Sequence, residues 1–387
     1  MNQHLFLHIV ERLEGLLGRL PAAIQKPILA ELTPLKELFL QQRPPRFVFV
    51  GSIKRPASEL VTEFFGQVDA SGFTSVFRWE ELNAGGHGTI CILDARGAGD
   101  SSAAQVEEEL KRQPPDAIFF LDEPGAARRG RKSELQNLID CLRWSDPAKP
   151  KVVGIAFSST ATVAKHFRRH DKETADEELA SHLGEALKDR NRLLHVFTFG
   201  RDEAVSRQSE KLMSLLAHQL PNEARIEMIR ISRDRDAQRE VAQVLVKSTS
   251  AICTAIGAQP IPLADLPVLT TLQLVMVSGI MYLSGRERSL RAATEFVGAI
   301  GANVGVGMLF REGARALLKF LPGWGNVICG MVAGAGTYAI GRAAIVFFLE
   351  GVSLKEARRT YLTSKKKRNR VALPALEKPK RKRAREK

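Results

Sequence analysis

Arg46-Phe-Val-Phe-Val50 and, directly after it, Gly51-Ser-Ile-Lys-Arg-Pro-Ala-Ser58 decide how this chain is read. The first stretch is a short apolar run that predicts a buried strand, and Gly51 ends it. Leu60, Val61, Phe64 and Phe65 then recur at helical spacing. A strand, a glycine-led turn and a helix is where a phosphate-binding loop of pattern GxxxxGK[ST] belongs. In that pattern glycine lets the backbone wrap the phosphates, lysine reaches the β- and γ-phosphates, and the hydroxyl holds magnesium. Gly51 and Ser58 fit it, but Pro56 stands in place of the second glycine and Ala57 in place of the lysine. Proline takes one N–H out of an anion-binding nest, and alanine takes away the cation. What survives is a strand–turn–helix that Pro56 is well placed to continue into the helix. Lys54 and Arg55 are the remaining cations in the loop.

Working outward, Thr89-Ile-Cys-Ile-Leu93, Ala117-Ile-Phe-Phe-Leu121, Lys151-Val-Val-Gly-Ile-Ala156 and Leu193-Leu-His-Val-Phe197 read as four more strands, most of them separated by helical patterns. Such alternation predicts right-handed crossovers and a mainly parallel α/β sheet, with the ligand crevice beyond the carboxyl ends of its strands. The second strand runs into Asp94-Ala-Arg-Gly97, a DxxG sequence in the position expected for a G-protein, although the DxxG taken alone favours Asp94 merely capping a turn. A guanine-reading NKxD should follow the fourth strand; Ala156-Phe-Ser-Ser-Thr-Ala161 stands there instead. Phe197-Thr-Phe-Gly200 follows the fifth.

With these residues in view the chain resembles the bacterial Era-like GTPases that carry a YcjF-like C-terminal domain of unknown function. The resemblance rests on Arg43-Pro-Pro-Arg46, the DxxG at Asp94, Pro115-Asp-Ala-Ile-Phe-Phe-Leu121 and Leu220-Pro-Asn-Glu-Ala-Arg225. Its more specific half is C-terminal: Ala258-Gln-Pro-Ile-Pro-Leu-Ala-Asp-Leu-Pro-Val-Leu-Thr270, Ser284-Gly-Arg286, Arg311-Glu-Gly-Ala-Arg315, Pro322-Gly-Trp-Gly-Asn326 and Gly336-Thr-Tyr-Ala-Ile-Gly-Arg-Ala-Ala344. It covers roughly 40–350. The resemblance implies a P-loop GTPase-like domain and a membrane-associated helical module. It also implies that Asp94 reaches magnesium through water and that the Gly97 amide senses the γ-phosphate. Gly51, Lys54, Ser58, Asp94 and Gly97 are therefore the candidate nucleotide-binding residues, and Ser58 and Asp94 the magnesium-side pair. With the lysine and the guanine motif gone, the reading is a pseudo-GTPase that uses neither GTP nor magnesium. The alternative is a GTPase with displaced groups, in which Lys54 or Arg55 neutralises phosphate.

The flanks complete the plan. Leu5, Ile9, Leu13, Leu16 and Leu17, and then Leu29, Leu32, Leu35 and Phe39, predict two N-terminal helices broken at Pro21, a brace (1–44) for the α/β domain (45–222). A third region, 235–352, holds the uncharged stretches 266–285 and 320–341, with apolar 296–310 between them. At about 1.5 Å per residue, 20 residues match a bilayer core of roughly 30 Å. Gly301/Gly305 and Gly330/Gly334 are GxxxG pairs that suit helix packing in lipid, whereas Arg342, Gln273 and Asn303 suit a soluble helical core. Both readings stay open.

The chain carries net +14 over 387 residues, but from Lys355 onward 15 Lys and Arg face three Glu, so the tail (353–387) holds +12 of it. Beyond Thr363 that tail reads as disordered. Its runs Lys365-Lys-Lys-Arg368 and Lys380-Arg-Lys-Arg383 suit anionic lipid. Nucleic acid is the rival partner, without aromatic interleaving to support it. A protein partner and self-association stay open. With 44% hydrophobic and 26% charged residues the chain folds, and its four scattered cysteines fit neither a zinc ribbon nor a disulfide framework. No secretory pattern opens it, so the reading is cytoplasmic, on or in the inner membrane. His4/His8 and His166/His170 have i, i+4 spacing but lack the glutamate of HExxH. Arg128, Arg129, Arg131 and Lys132 read as a solvated loop.

Overall fold

A computed structural model describes residues 22–39, 41–122 apart from 67, 74 and 86, 128–157, 169–199 apart from 188, 204–258, 265–301 and 325–372. The chain divides into two compact units, one of residues 41–237 and one of 1–40 with 238–387. Helix α1 (Ala22–Phe39) therefore groups with the C-terminal helices, where the sequence led us to expect a helix belonging with the α/β region.

The α/β unit runs β1 (Arg46–Gly51), α2 (Ala57–Phe65), β2 (Trp79–Asn83), β3 (Thr89–Asp94), α3 (Asp100–Arg112), β4 (Ala117–Asp122), α4 (Arg128–Trp144), β5 (Lys151–Phe157), α5 (Arg169–Ala186), β6 (Leu193–Phe199), α6 (Ala204–Gln219) and α7 (Asn222–Ser232). One six-stranded sheet has the order β2-β3-β1-β4-β5-β6. Every neighbouring pair is parallel except β2 with β3. Because β1 and β4 are covered on both faces, their residues from Phe47 to Val50 and from Ala117 to Leu121 are all buried and read as continuous apolar runs.

The pleat sends alternate residues to opposite faces. Phe47 and Phe49 meet Phe64 and Phe65 of α2 and Phe119 of β4, with ring centroids 5.1 to 6.0 Å apart. Val48 and Val50 face the other way, onto Val106 and Leu110 of α3, Leu138 of α4, and Leu179 and Leu183 of α5. The helix after β1 thus lies across the sheet from the helices after β3, β4 and β5. In open α/β sheets such a switch point is where ligands bind, beyond the carboxyl end of a strand such as β1. At the opposite end of the strand, the Arg43 guanidinium donates to both oxygens of buried Asp116 (2.7 and 2.6 Å), which also accepts the Arg46 N–H. That bidentate pair fixes where the chain enters the sheet.

The sequence missed β2, whose only fully buried residue is Leu82 between charged Glu80, Glu81 and polar Asn83. The basic residues read as a loop at 128–132 instead start α4, a stretch in which arginine and lysine are good helix formers and Gly130 is a single interruption.

The helical unit adds α8 (Arg235–Gly257), α9 (Asp265–Leu283), α10 (Leu290–Gly301), α11 (Gly325–Phe348) and α12 (Leu354–Ala372). Gly330, Gly334 and Gly341 let α11 approach its neighbours closely. A Cβ at Gly330 would lie 2.5 Å from the Thr254 carbonyl oxygen of α8; one at Gly334 would collide with the Thr254 hydroxyl, and one at Gly341 with Val246. Gln273 of α9 donates to the Thr337 hydroxyl of α11 (2.9 Å), which donates in turn to the Ala333 carbonyl (3.0 Å). The amide that looked misplaced in an apolar helix is thereby satisfied. Arg342 is partly exposed. Gly301 closes α10, and Gly305 and Asn303 lie outside the described residues. The stretch Gly330–Phe348 is long and apolar enough to cross a membrane, and 67% of its apolar window is buried inside the protein. The chain expected to lose structure beyond Thr363 stays helical to Ala372.

Candidate functional site

Three segments converge at the carboxyl end of β1: the loop from Gly51 to Ser58, the turn after β3 at Asp94–Gly99, and the first turns of α4. Gly51 has φ +130°, and a Cβ there would run into the Leu121 backbone, so only glycine fits. The next N–H, from Ser52, donates to the Leu121 carbonyl (3.2 Å). Pro56 caps α2 with φ −54° and contributes no side-chain hydrogen bond. Ser58 sits at the second residue of α2, where its carbonyl accepts the Thr62 hydroxyl (2.9 Å).

The centre of the loop is occupied by the side chain of Arg96. Its Nε donates to Asp94 Oδ1 and its Nη2 to Asp94 Oδ2, both at 2.7 Å. Its Nη1 reaches across to the loop and donates to the carbonyls of Ile53 (3.1 Å) and Arg55 (2.7 Å). The Arg96 backbone N–H adds a bond to Asp94 Oδ1 (3.2 Å). Four of the five guanidinium N–H groups are thus committed, and Asp94 is only 7% exposed.

This geometry inverts the polarity of a phosphate loop. An anion nest points backbone N–H groups inward. Here two carbonyl oxygens point inward and hold a cation, while the N–H groups at the base of the loop are taken by protein acceptors. One of these is Glu134 of α4, whose carboxylate accepts the Gly51 N–H. Burial lifts the Glu134 carboxyl above its ordinary range, against the hydrogen bonds it receives from Asn137 and Gly51. An acceptor side chain already stands where the loop backbone begins.

The two loop cations are placed differently. Lys54 is exposed. Arg55 turns back onto its own helix, pairing with Glu63 (2.7 Å) and Glu59 (3.5 Å) and lying 5.4 Å from the centre of the Phe157 ring. Phe157 ends β5, where a guanine-reading motif would begin, and packs on Phe64 and Phe199. Residues 158–168, including the Ser-Ser-Thr that follows, lie outside the described residues, as do 200–203, His4, His8 and His166. Gly97 adopts φ +67° in the turn before α3, with open space where a Cβ would be.

The segment that precedes β2 is also tied down. The Phe77 N–H donates to the Asp94 carbonyl (3.1 Å) with Phe77 itself at φ 62°, and the Trp79 indole donates to the Glu109 carbonyl (3.2 Å). The structure therefore brings together Gly51, Asp94 and the loop carbonyls, and leaves Lys54 outside. Sequence reasoning missed Arg96 and Glu134. The available signal was an arginine inside the DxxG of a chain whose loop carries Ala57 where the phosphate-loop pattern has lysine. Elsewhere burial pushes the thiols of Cys141 and Cys253 up to about 12, and that of Cys91 to about 11, which keeps them protonated and inert.

No family model matches the chain. It is 30% identical over 118 residues to Magnetosome membrane protein 22 of Magnetospirillum gryphiswaldense, a match that covers 29% of this chain and 59% of that protein.

Proposed function

We propose that this protein is a pseudo-GTPase, a GTPase-like α/β domain that works as a membrane-associated scaffold or regulator. The observation that carries the reading is the Arg96 side chain inside the loop. It supplies, from within the chain, the positive charge that a phosphate loop takes from its lysine and magnesium. An incoming triphosphate would meet the carbonyls of Ile53 and Arg55 and the Glu134 carboxylate, all of them electron-rich. Moving Arg96 toward the phosphates would strand a buried carboxylate, and leaving one ion of a buried pair alone costs about 3–5 kcal/mol. The sheet order, with its single antiparallel edge strand, supports descent from a GTPase fold.

Membrane association rests on the apolar helices, the basic C-terminus and the relative, whose name places it in a membrane. Anionic lipid on the cytoplasmic face of the inner membrane is the surface that a +12 segment suits. The test is calorimetric titration of the full-length protein with GTP, GDP and ATP in magnesium. The expected result is no binding heat up to millimolar ligand, with no rise in the unfolding midpoint. Saturable GTP binding that disappears in a Lys54→Ala variant would establish the displaced-group GTPase instead.

A further inference from the structure

Helix α12 is amphipathic in an unusual sense. One face is seated in the helical unit through Ala357 (0% exposed) and Tyr361 (2%), and the helix packs along α11. The other face is open. Lys355, Arg359 and Leu362 are exposed, Leu362 at 49%, and Leu354 at the start of the helix is 40% exposed. Positions 355, 359, 362, 366 and 370 follow one another at steps of four, three, four and four, which places them on a single stripe of a 3.6-residue helix. Those positions are Lys, Arg, Leu, Lys and Arg. The helix thus carries a linear row of four basic residues with a leucine in its middle.

We propose that this stripe is the surface through which the protein lies on an anionic membrane, with α12 parallel to the bilayer plane and α11 remaining in the protein core. The inference rests on the membrane reading above and specifies how contact is made. Three observations favour it. Lys355, Arg359 and Leu362 of the stripe are exposed while Ala357 and Tyr361 on the opposite face are buried, so that part is available without rearrangement. Leu354 and Leu362 are exposed beside these basic residues, so they can enter the headgroup boundary while the basic side chains meet the anionic headgroups. The close packing of α12 on α11 means that any insertion of α11 would carry Lys355 and Arg359 alongside it into hydrocarbon, which is costly. Nucleic acid would use the charge but has no use for an exposed leucine, and no aromatic residue follows Tyr361 to stack on bases.

The experiment is co-sedimentation of the full-length protein with vesicles of phosphatidylcholine alone, and of phosphatidylcholine mixed with phosphatidylglycerol, with a DNA duplex as a parallel ligand. Two variants accompany it. One reverses the stripe (Lys355→Glu, Arg359→Glu, Lys366→Glu and Arg370→Glu together), and the other neutralises the distal run (Lys380→Ala, Arg381→Ala, Lys382→Ala and Arg383→Ala). The expected result is binding to the anionic vesicles only, weakened by salt, reduced on the order of a hundredfold by the stripe variant and only a few-fold by the distal one. A thermal melt unchanged from the parent shows that the stripe variant is folded. Equal losses in both variants would mean that any basic run suffices, and would overturn the stripe. Equal binding to both vesicle types would mean apolar insertion, overturning the stripe while leaving membrane association standing. Binding to neither vesicle would remove both readings, and stripe-dependent binding to DNA alone would replace the lipid with nucleic acid.

Discussion

Arg96 and Asp94 form a nearly buried pair whose members are close enough to be held only together, with side-chain exposures of 11% and 10%. Arg96→Ala leaves the Asp94 carboxylate without its cation and two loop carbonyls without their donor, a loss expected to cost about 3–5 kcal/mol in urea unfolding. Replacing both at once, Asp94→Leu with Arg96→Met, should restore the part due to the stranded carboxylate, because an apolar pair avoids the desolvation of two ions, while the two loop carbonyls stay without their donor. Glu134 gives the same site a pH signature. Its folded-state carboxyl is raised above the ordinary value of 4.5. Its contribution is therefore complete below that value and declines as pH rises through the raised one. The parent's unfolding midpoint should fall more between acid and neutral pH than that of Glu134→Gln, which keeps an oxygen for the Gly51 N–H. Neither residue was legible as part of the site. The sequence showed that the loop lacks the lysine of the phosphate-loop pattern, and the arginine in Asp94-Ala-Arg-Gly97 was a hint, but nothing local named its partners, which are backbone carbonyls that every residue possesses.

At the scale of elements, glycine positions in α11 separate close packing from mere tolerance. Gly334→Ala would drive a methyl group into Thr254 and should cost on the order of 1–3 kcal/mol. Gly336, two residues on, has nothing among the described residues within 4 Å of its would-be Cβ. There an alanine should stabilise the helix by roughly 0.5–1 kcal/mol through reduced backbone freedom. Opposite shifts in the thermal midpoints of these two variants would confirm the packing; shifts of the same sign would refute it. Strands β1 and β4 could be read in advance because burial on both faces makes them unbroken apolar runs, and β3, β5 and β6 because most of their residues are apolar. Edge strand β2 could not, because one buried leucine among glutamates gives no alternation to detect. The end of α12 was misread for a related reason. A run of lysines and arginines looks like a solvated tail by charge, yet these residues have high helix propensity, and Ala357 and Tyr361 bury the first turns in the helical unit.

Across the whole molecule, charge and structure are distributed unevenly. The residues up to 354 carry net +2 and hold the α/β sheet and most of the helical unit, while the last 33 carry +12. That division was legible from composition alone, and so was the change of character between a sheet-forming region and an apolar helical one. The grouping of α1 with the C-terminal helices was not. An amphipathic helix displays an apolar stripe without recording which surface it will cover, and only the fold shows that residues 1–40 belong with 238–387.

The guanidinium in the loop has one further consequence. A nucleotide-driven switch is a timer, set by exchange and reset by hydrolysis, and cells govern it with factors that hasten either step. In the reading proposed above, the charge at the centre of this loop is part of the polypeptide, so it can be neither exchanged nor spent. Such a domain would hold one state from the moment it folds, and exchange factors would have nothing to act upon. The cell would then tune it by dosage, through how many copies are made, where they gather and how fast they are destroyed.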